Sequence, residues 1–301
     1  MAVKHDYHLA EPSPWPFLSA LALFIIMLGG VLWLNDAVAF FGLPPFIFIR
    51  RFICLGGCLL LGFTLVGWWR DMVAESVLFD ELRPVVKLSL RFAVLLGLTV
   101  EALYFSALFW VYFDAVLGMK AAGQSWPPAP LVPADPWHYP MLATFMLLLS
   151  ATSVVWARRA LAQGSRAASI QALGGSVLLG VGALWLLIVA LGHLPFGFGF
   201  SRAFFETMTD PAHINLISVI GSPGAIYGSL FYVLMVSICV HLGLGVAFLA
   251  VAFVRAAAGH FALKGHFGFE AASWVWHFGI VLWLLLYVGL YVGGAVSGHL
   301  F

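Results

Sequence analysis

A polytopic all-α membrane protein is the fold class this sequence predicts, and three observations carry the reading. Hydrophobic residues make up 63% of the 301-residue chain and charged residues only 9%, against roughly 25% charged in an ordinary soluble domain. Mean hydropathy is +1.03. Seven apolar runs reach the ~18–20 residues needed to cross a hydrocarbon core. Too little charge remains to cover a water-facing surface, so the runs read as helices that satisfy their own backbone polar groups in lipid.

The spans are expected at about 17–34, 46–69, 87–117, 139–161, 168–192, 225–256 and 268–297, within a single membrane domain over 1–301. The first follows Pro12, Pro14 and Pro16. Ala37-Val38-Ala39 after it resembles a signal-peptide cleavage site, but the 18-residue run is long for such a peptide and only Lys4 precedes it. A retained span is the better reading. Pro44-Pro45 opens the second, and Trp68-Trp69-Arg70-Asp71 closes it. Arg83, Lys87 and Arg91 lead into the third. A proline-rich connection (Trp126-Pro127-Pro128, Pro130, Pro133, Pro136) separates it from the fourth, as suits a residue without a backbone donor. Arg158, Arg159 and Arg166 mark the turn between fourth and fifth. The longest connection, 192–226, carries Phe196, Phe198, Phe200, Phe204 and Phe205. It reads either as a surface or docking segment or as an aromatic cover over helix ends.

Lys and Arg distribution orients the chain. With the N-terminus inside, the inner segments hold Lys4, Arg70, Arg83, Lys87, Arg91, Arg158, Arg159, Arg166, Arg255 and Lys264, ten in all, and the outer ones hold Arg50, Arg51, Lys120 and Arg202, four in all. The positive-inside rule then predicts a cytoplasmic N-terminus and a periplasmic C-terminus in a bacterial inner membrane.

Formal net charge is +1 and no dense basic patch occurs, so no nucleic-acid partner is indicated. Cys54, Cys58 and Cys239 all fall inside apolar spans, which gives no disulfide framework. Cys54 and Cys58 are a helical turn apart without a third metal ligand nearby, and read as small packing residues. Phosphate-loop, HExxH and nucleophile-elbow patterns are absent from the sequence.

Glu101 stands out. It sits in the run 92–117, where only Asp114, near the end, also carries charge. A carboxyl at that depth costs several kcal/mol unless protonated, paired or turned to a protein interior. It is expected to face the helix bundle, in a mostly apolar pocket with Ala107 and Leu108 near its own face. His241 and His277 are the other ionisable groups well inside spans. Together the three fit a metal or haem site, a proton relay, or interhelical hydrogen bonding. The mismatch in depth between the two histidines weighs against a haem pair.

Laid end to end, the motifs resemble those of subunit III of the haem–copper cytochrome c oxidases. They are Pro12-Ser13-Pro14-Trp15-Pro16, Trp68-Trp69-Arg70-Asp71, Glu101-Ala102-Leu103-Tyr104-Phe105 with Phe109-Trp110, Trp126-Pro127-Pro128, Val155-Trp156-Ala157, Ile226-Tyr227-Gly228-Ser229, His266-Phe267-Gly268-Phe269-Glu270 and Trp274-Val275-Trp276-His277-Phe278. The chain departs from the family pattern at Ala74, Gly265 and Ile280, where arginine, histidine and aspartate are common. The resemblance implies a two-helix plus five-helix arrangement with a lipid cleft between. It also implies an accessory subunit with no cofactor of its own, packed against oxidase subunits I and II, which carry haem and copper. Cytochrome c is then the electron donor to a proton-pumping complex that reduces oxygen to water. Glu101 would be the family's buried carboxylate. Trp68, Trp69, Glu75, Arg255, His260 and His266 would border structural phospholipids. The presence of the first two spans favours this branch over quinol oxidases. A proton-coupled transporter using Glu101 is the competing class, against which stands the lack of repeats or interrupted helices.

Overall fold

The computed structural model describes residues 13–34, 47–78, 84–128, 131–196, 223–259 and 267–297, and among these all regular structure is helical. The helices are α1 (Trp15–Leu34), α2 (Ile47–Leu78), α3 (Pro84–Ala121), α4 (Tyr139–Ala162), α5 (Arg166–Gly192), α6 (Pro223–Ala257) and α7 (Phe267–Leu286). α7 continues through a π-helical segment, Tyr287–Val292, into a last α-helical turn, Gly293–Ser297. Among the described residues seven helices are long and apolar enough to cross a membrane, as the hydropathy pattern predicts. α2 runs past the tryptophan pair to Leu78, since the segment after Arg70 is polar but still favourable to helix.

The chain divides into two compact units, residues 1–89 and 90–301. In the first, α1 and α2 pack as a hairpin. Lipid is as apolar as Leu, so close backbone approach and polar contacts must hold such a pair. Gly29 and Gly57 permit that approach: a Cβ on Gly29 would lie 2.5 Å from the Cys54 backbone nitrogen, and one on Gly57 would lie 2.8 Å from that of Ile26. At the end of the hairpin the Trp15 indole N–H donates to Asp71 Oδ2 at 2.6 Å.

In the second unit α4 packs on α5, α5 on α6 and α6 on α7, and α4 also touches α7. The enclosed core includes Leu147, Leu173, Leu187, Phe231, Leu242 and Trp283, all fully buried. Hydroxyl bonds reinforce it. Ser150 Oγ donates to the Ser176 carbonyl at 2.9 Å, Ser153 Oγ to that of Ala172 at 2.7 Å, and Trp283 Nε1 to Thr144 Oγ1 at 2.8 Å. Each bond removes a polar group from contact with lipid. The outer surface is apolar, with Trp110 76% and Leu178 74% exposed. An inside-out distribution of this kind suits lipid as the solvent.

The connection before α4 is tied in from several sides. Trp126 is buried, donates from Nε1 to Tyr112 Oη at 3.2 Å, and stacks edge-on with Tyr227. Phe196, the last described residue before the long connection, packs on Tyr227 and Phe231 and accepts a bond from Tyr232 Oη at its carbonyl. That ring therefore covers the start of α6. Phe198, Phe200, Phe204 and Phe205 lie outside the described residues.

Candidate functional site: a carboxyl–imidazole pair inside the membrane

Glu101 lies midway along α3, between Thr99 and Ser106, whose hydroxyls bond back to their own helix. Thr99 Oγ1 donates to the Leu95 carbonyl and Ser106 Oγ to that of Ala102, so neither competes for the carboxyl. Glu101 Oε1 meets His241 Nδ1 of α6 at 2.5 Å. One turn along the same seam, Tyr104 Oη and Ser237 Oγ are 2.8 Å apart. Two polar pairs thus join α3 to α6.

The imidazole has a second partner. His241 Nε2 lies 3.0 Å from the Val275 carbonyl on α7, so one ring links three helices. Phe278 approaches it edge-on at 5.8 Å between centroids. The His241 side chain is 4% exposed and that of Glu101 30%. The carboxyl is therefore the outer member of the pair, and among the described residues the one polar partner the structure gives it on the bundle side is a histidine.

His277 takes no part. Its Nδ1 lies 2.6 Å from the Ser273 carbonyl on its own helix, and Ser273 Oγ is 3.4 Å away. Its buried Nε2 has no hydrogen-bond partner among the described residues. A haem held between His241 and His277 does not fit this geometry, because both His241 nitrogens already engage protein atoms. Among the described residues no three His, Cys, Asp or Glu side chains converge as a metal site would require.

The residues expected to border lipid fare differently. Trp68 and Trp69 are half-buried inside α2, near the end of its apolar span Phe52–Met72. Arg255 is half-buried in the last turn of α6, its guanidinium against Gly268 of α7. His260, His266 and the side chain of Glu75 lie outside the described residues. Arg91, one of the basic residues leading into the third span, pairs with Glu270 of α7 at 2.9 Å. Arg166 donates from Nη2 to the Ala257 carbonyl at 2.6 Å and from Nε to that of Ala256 at 3.2 Å, capping the C-terminal end of α6. Sequence reading had no signal for Glu270 or the α6 cap beyond charge sign, because their partners are far away in the chain.

A family profile described as cytochrome c oxidase subunit III matches residues 5–295. Cytochrome c oxidase subunit 3 of Paracentrotus lividus is 33% identical over 296 residues, covering 98% of this chain and all of the relative. The same subunit of Oncorhynchus mykiss is 34% identical and that of Cyprinus carpio 33%, each over 97% of this chain and 98% of the relative.

Proposed function

Because the chain belongs to the cytochrome c oxidase subunit III family, we propose that it serves as an accessory subunit of a proton-pumping respiratory oxidase. In this reading it carries no haem or copper and packs against subunits I and II, which hold them and take electrons from cytochrome c. It supports the durability of subunit I, binds structural phospholipids and assists proton uptake. The observation that carries the proton part is the Glu101–His241 pair, an ionisable couple inside the spans, where such groups mark proton handling or interhelical contact. Commitment of both His241 nitrogens to protein atoms supports the cofactor-free part. Half-buried Trp68 and Trp69 near the end of the apolar span Phe52–Met72, and half-buried Arg255 in the last turn of α6, support the lipid part, since aromatic rings and guanidinium groups favour the headgroup level.

We place the N-terminus on the cytoplasmic side of a bacterial inner membrane and the C-terminus on the periplasmic side. The Lys and Arg bias supports the orientation; the relatives named above are animal proteins and do not bear on the bacterial setting. Extraction of the tagged chain from native membranes in mild detergent, followed by mass spectrometry and an optical spectrum, tests the assignment. Recovery with subunits I and II, and haem absorption only when they are present, is expected. Repeated recovery alone, or haem absorption from the isolated chain, would overturn it.

A further inference from the structure

Gly279 is the only way α7 can accept the His241 ring where it lies. A Cβ at that position would sit 2.4 Å from His241 Cδ2 and 2.6 Å from Nε2, well inside van der Waals contact, and the atoms it would strike belong to a ring held at both ends. The absent side chain lets the imidazole lie against the α7 backbone and reach the Val275 carbonyl, one turn earlier.

That contact fixes a proton. A carbonyl oxygen only accepts hydrogen bonds, and it has a second lone pair free beyond any intrahelical bond, so His241 Nε2 must carry hydrogen. The other nitrogen then has two choices. Nδ1 offers a lone pair to a protonated Glu101, or it bears a second hydrogen and donates to the carboxylate. In both arrangements the Nδ1–Oε1 line holds one proton and the pair sums to zero charge. What the carbonyl excludes is the third arrangement, a Glu101 carboxylate beside a neutral ring protonated at Nδ1 alone, which would leave a net negative charge inside the spans.

We propose that Gly279 is a positioning residue that, by seating His241 on the Val275 carbonyl, holds Glu101 and His241 as a charge-neutral pair sharing one proton. Other groups near the pair leave it undisturbed. Tyr104 is turned to Ser237, and His277 directs Nδ1 to its own helix. Glu101 is the one charged partner of His241 among the described residues. The inference deepens the proton reading of this site, yet its test reads the nitrogen itself and so fails separately from any failure of the oxidase assignment.

Nitrogen-15 spectroscopy of histidine-labelled full chain in its native complex, with His241 assigned by comparison with a His241→Gln sample, provides the test. In the parent protein the Nε2 resonance should show a directly bonded hydrogen. Glu101→Gln should retain that signature, because the amide can donate to Nδ1 while Nε2–H stays on the carbonyl. Gly279→Ala should displace the ring and shift Nε2 toward the range of a bare imine nitrogen. A bare Nε2 in the parent, loss of the Nε2–H signature in Glu101→Gln, or its full retention in Gly279→Ala would each overturn the proposal. The first two outcomes do not depend on how well the alanine variant folds.

Discussion

Glu101 on α3 and His241 on α6, 140 residues apart in the chain, meet at 2.5 Å with the histidine 4% exposed. This contact does the work that an apolar interface cannot do in lipid, because Leu against Leu gains nothing over Leu against acyl chain. Removing one partner is therefore unequal to replacing it. Glu101→Ala leaves a buried Nδ1 without a partner, which costs about 1–3 kcal/mol, and should lower the melting temperature of the complex and the yield of assembled subunit. Glu101→Gln keeps a donor and the shape, and should assemble at close to parent yield. Equal yield and stability for the two variants would contradict the pairing.

The tryptophan that opens α1 is tied to the acid that ends the membrane part of α2, through Trp15 Nε1 and Asp71 Oδ2 at 2.6 Å. Asp71 also lies 3.6 Å from the Arg70 guanidinium and is about half exposed, so solvent weakens the tie to about 1 kcal/mol. Trp15→Phe keeps the apolar ring and removes the donor. Hydrogen exchange in the first turns of α1 should accelerate in that variant while α4–α7 stay unchanged. Unaltered protection at α1 would show that the bond contributes nothing.

Ahead of α4, Asp135 accepts a bond from the Trp137 amide at 2.9 Å and pairs with His138 Nδ1. Partial burial opposes its ionisation, but the Trp137 amide and the His138 side chain outweigh that and hold the carboxyl below its usual 3.8. A lowered folded value contributes stability above the unfolded value and loses it as pH falls through the folded one. Protection of the Trp137 amide, corrected for intrinsic exchange, should therefore be constant from about pH 5 to about pH 7 and fall only in acid below the usual carboxyl range. Asp135→Asn should abolish that acid step. A step retained in Asp135→Asn would assign it to another group.

The proposed orientation rests on the ten-to-four partition of Lys and Arg. A cysteine introduced beside Arg202 should react with an impermeant thiol reagent added from the periplasmic side, and one beside Ser165 should not. The reverse pattern would invert the topology.

Much of the architecture is legible in the sequence because lipid demands it. About twenty apolar residues in a row admit few structures other than a spanning helix, and Glu101 announces itself as charge within such a run. The partner does not. Which face of α6 meets α3 depends on helix rotation, and α6 is apolar nearly all round, so its sequence gives His241 no direction. Gly279 is harder still: it is one of 31 glycines, and only the ring packed on it separates it from the rest. His277 illustrates the opposite error. It matches His241 as an intramembrane histidine by composition, yet its Nδ1 is spent on the Ser273 carbonyl of its own helix. Arg91 reads only as one more inner-side cation, because its partner Glu270 is 179 residues on, beyond any local rule.

In the proposed function this chain supports the oxidase through the Glu101–His241 pair without performing the chemistry. Oxygen consumption by a fully assembled Glu101→Gln complex, with haem content and subunit stoichiometry verified, tests it most directly. The account predicts near-parent initial turnover, with at most a modest loss of proton pumping or of activity over prolonged turnover. Complete loss of oxygen reduction in that assembled complex would contradict it and make Glu101 part of the catalytic machinery.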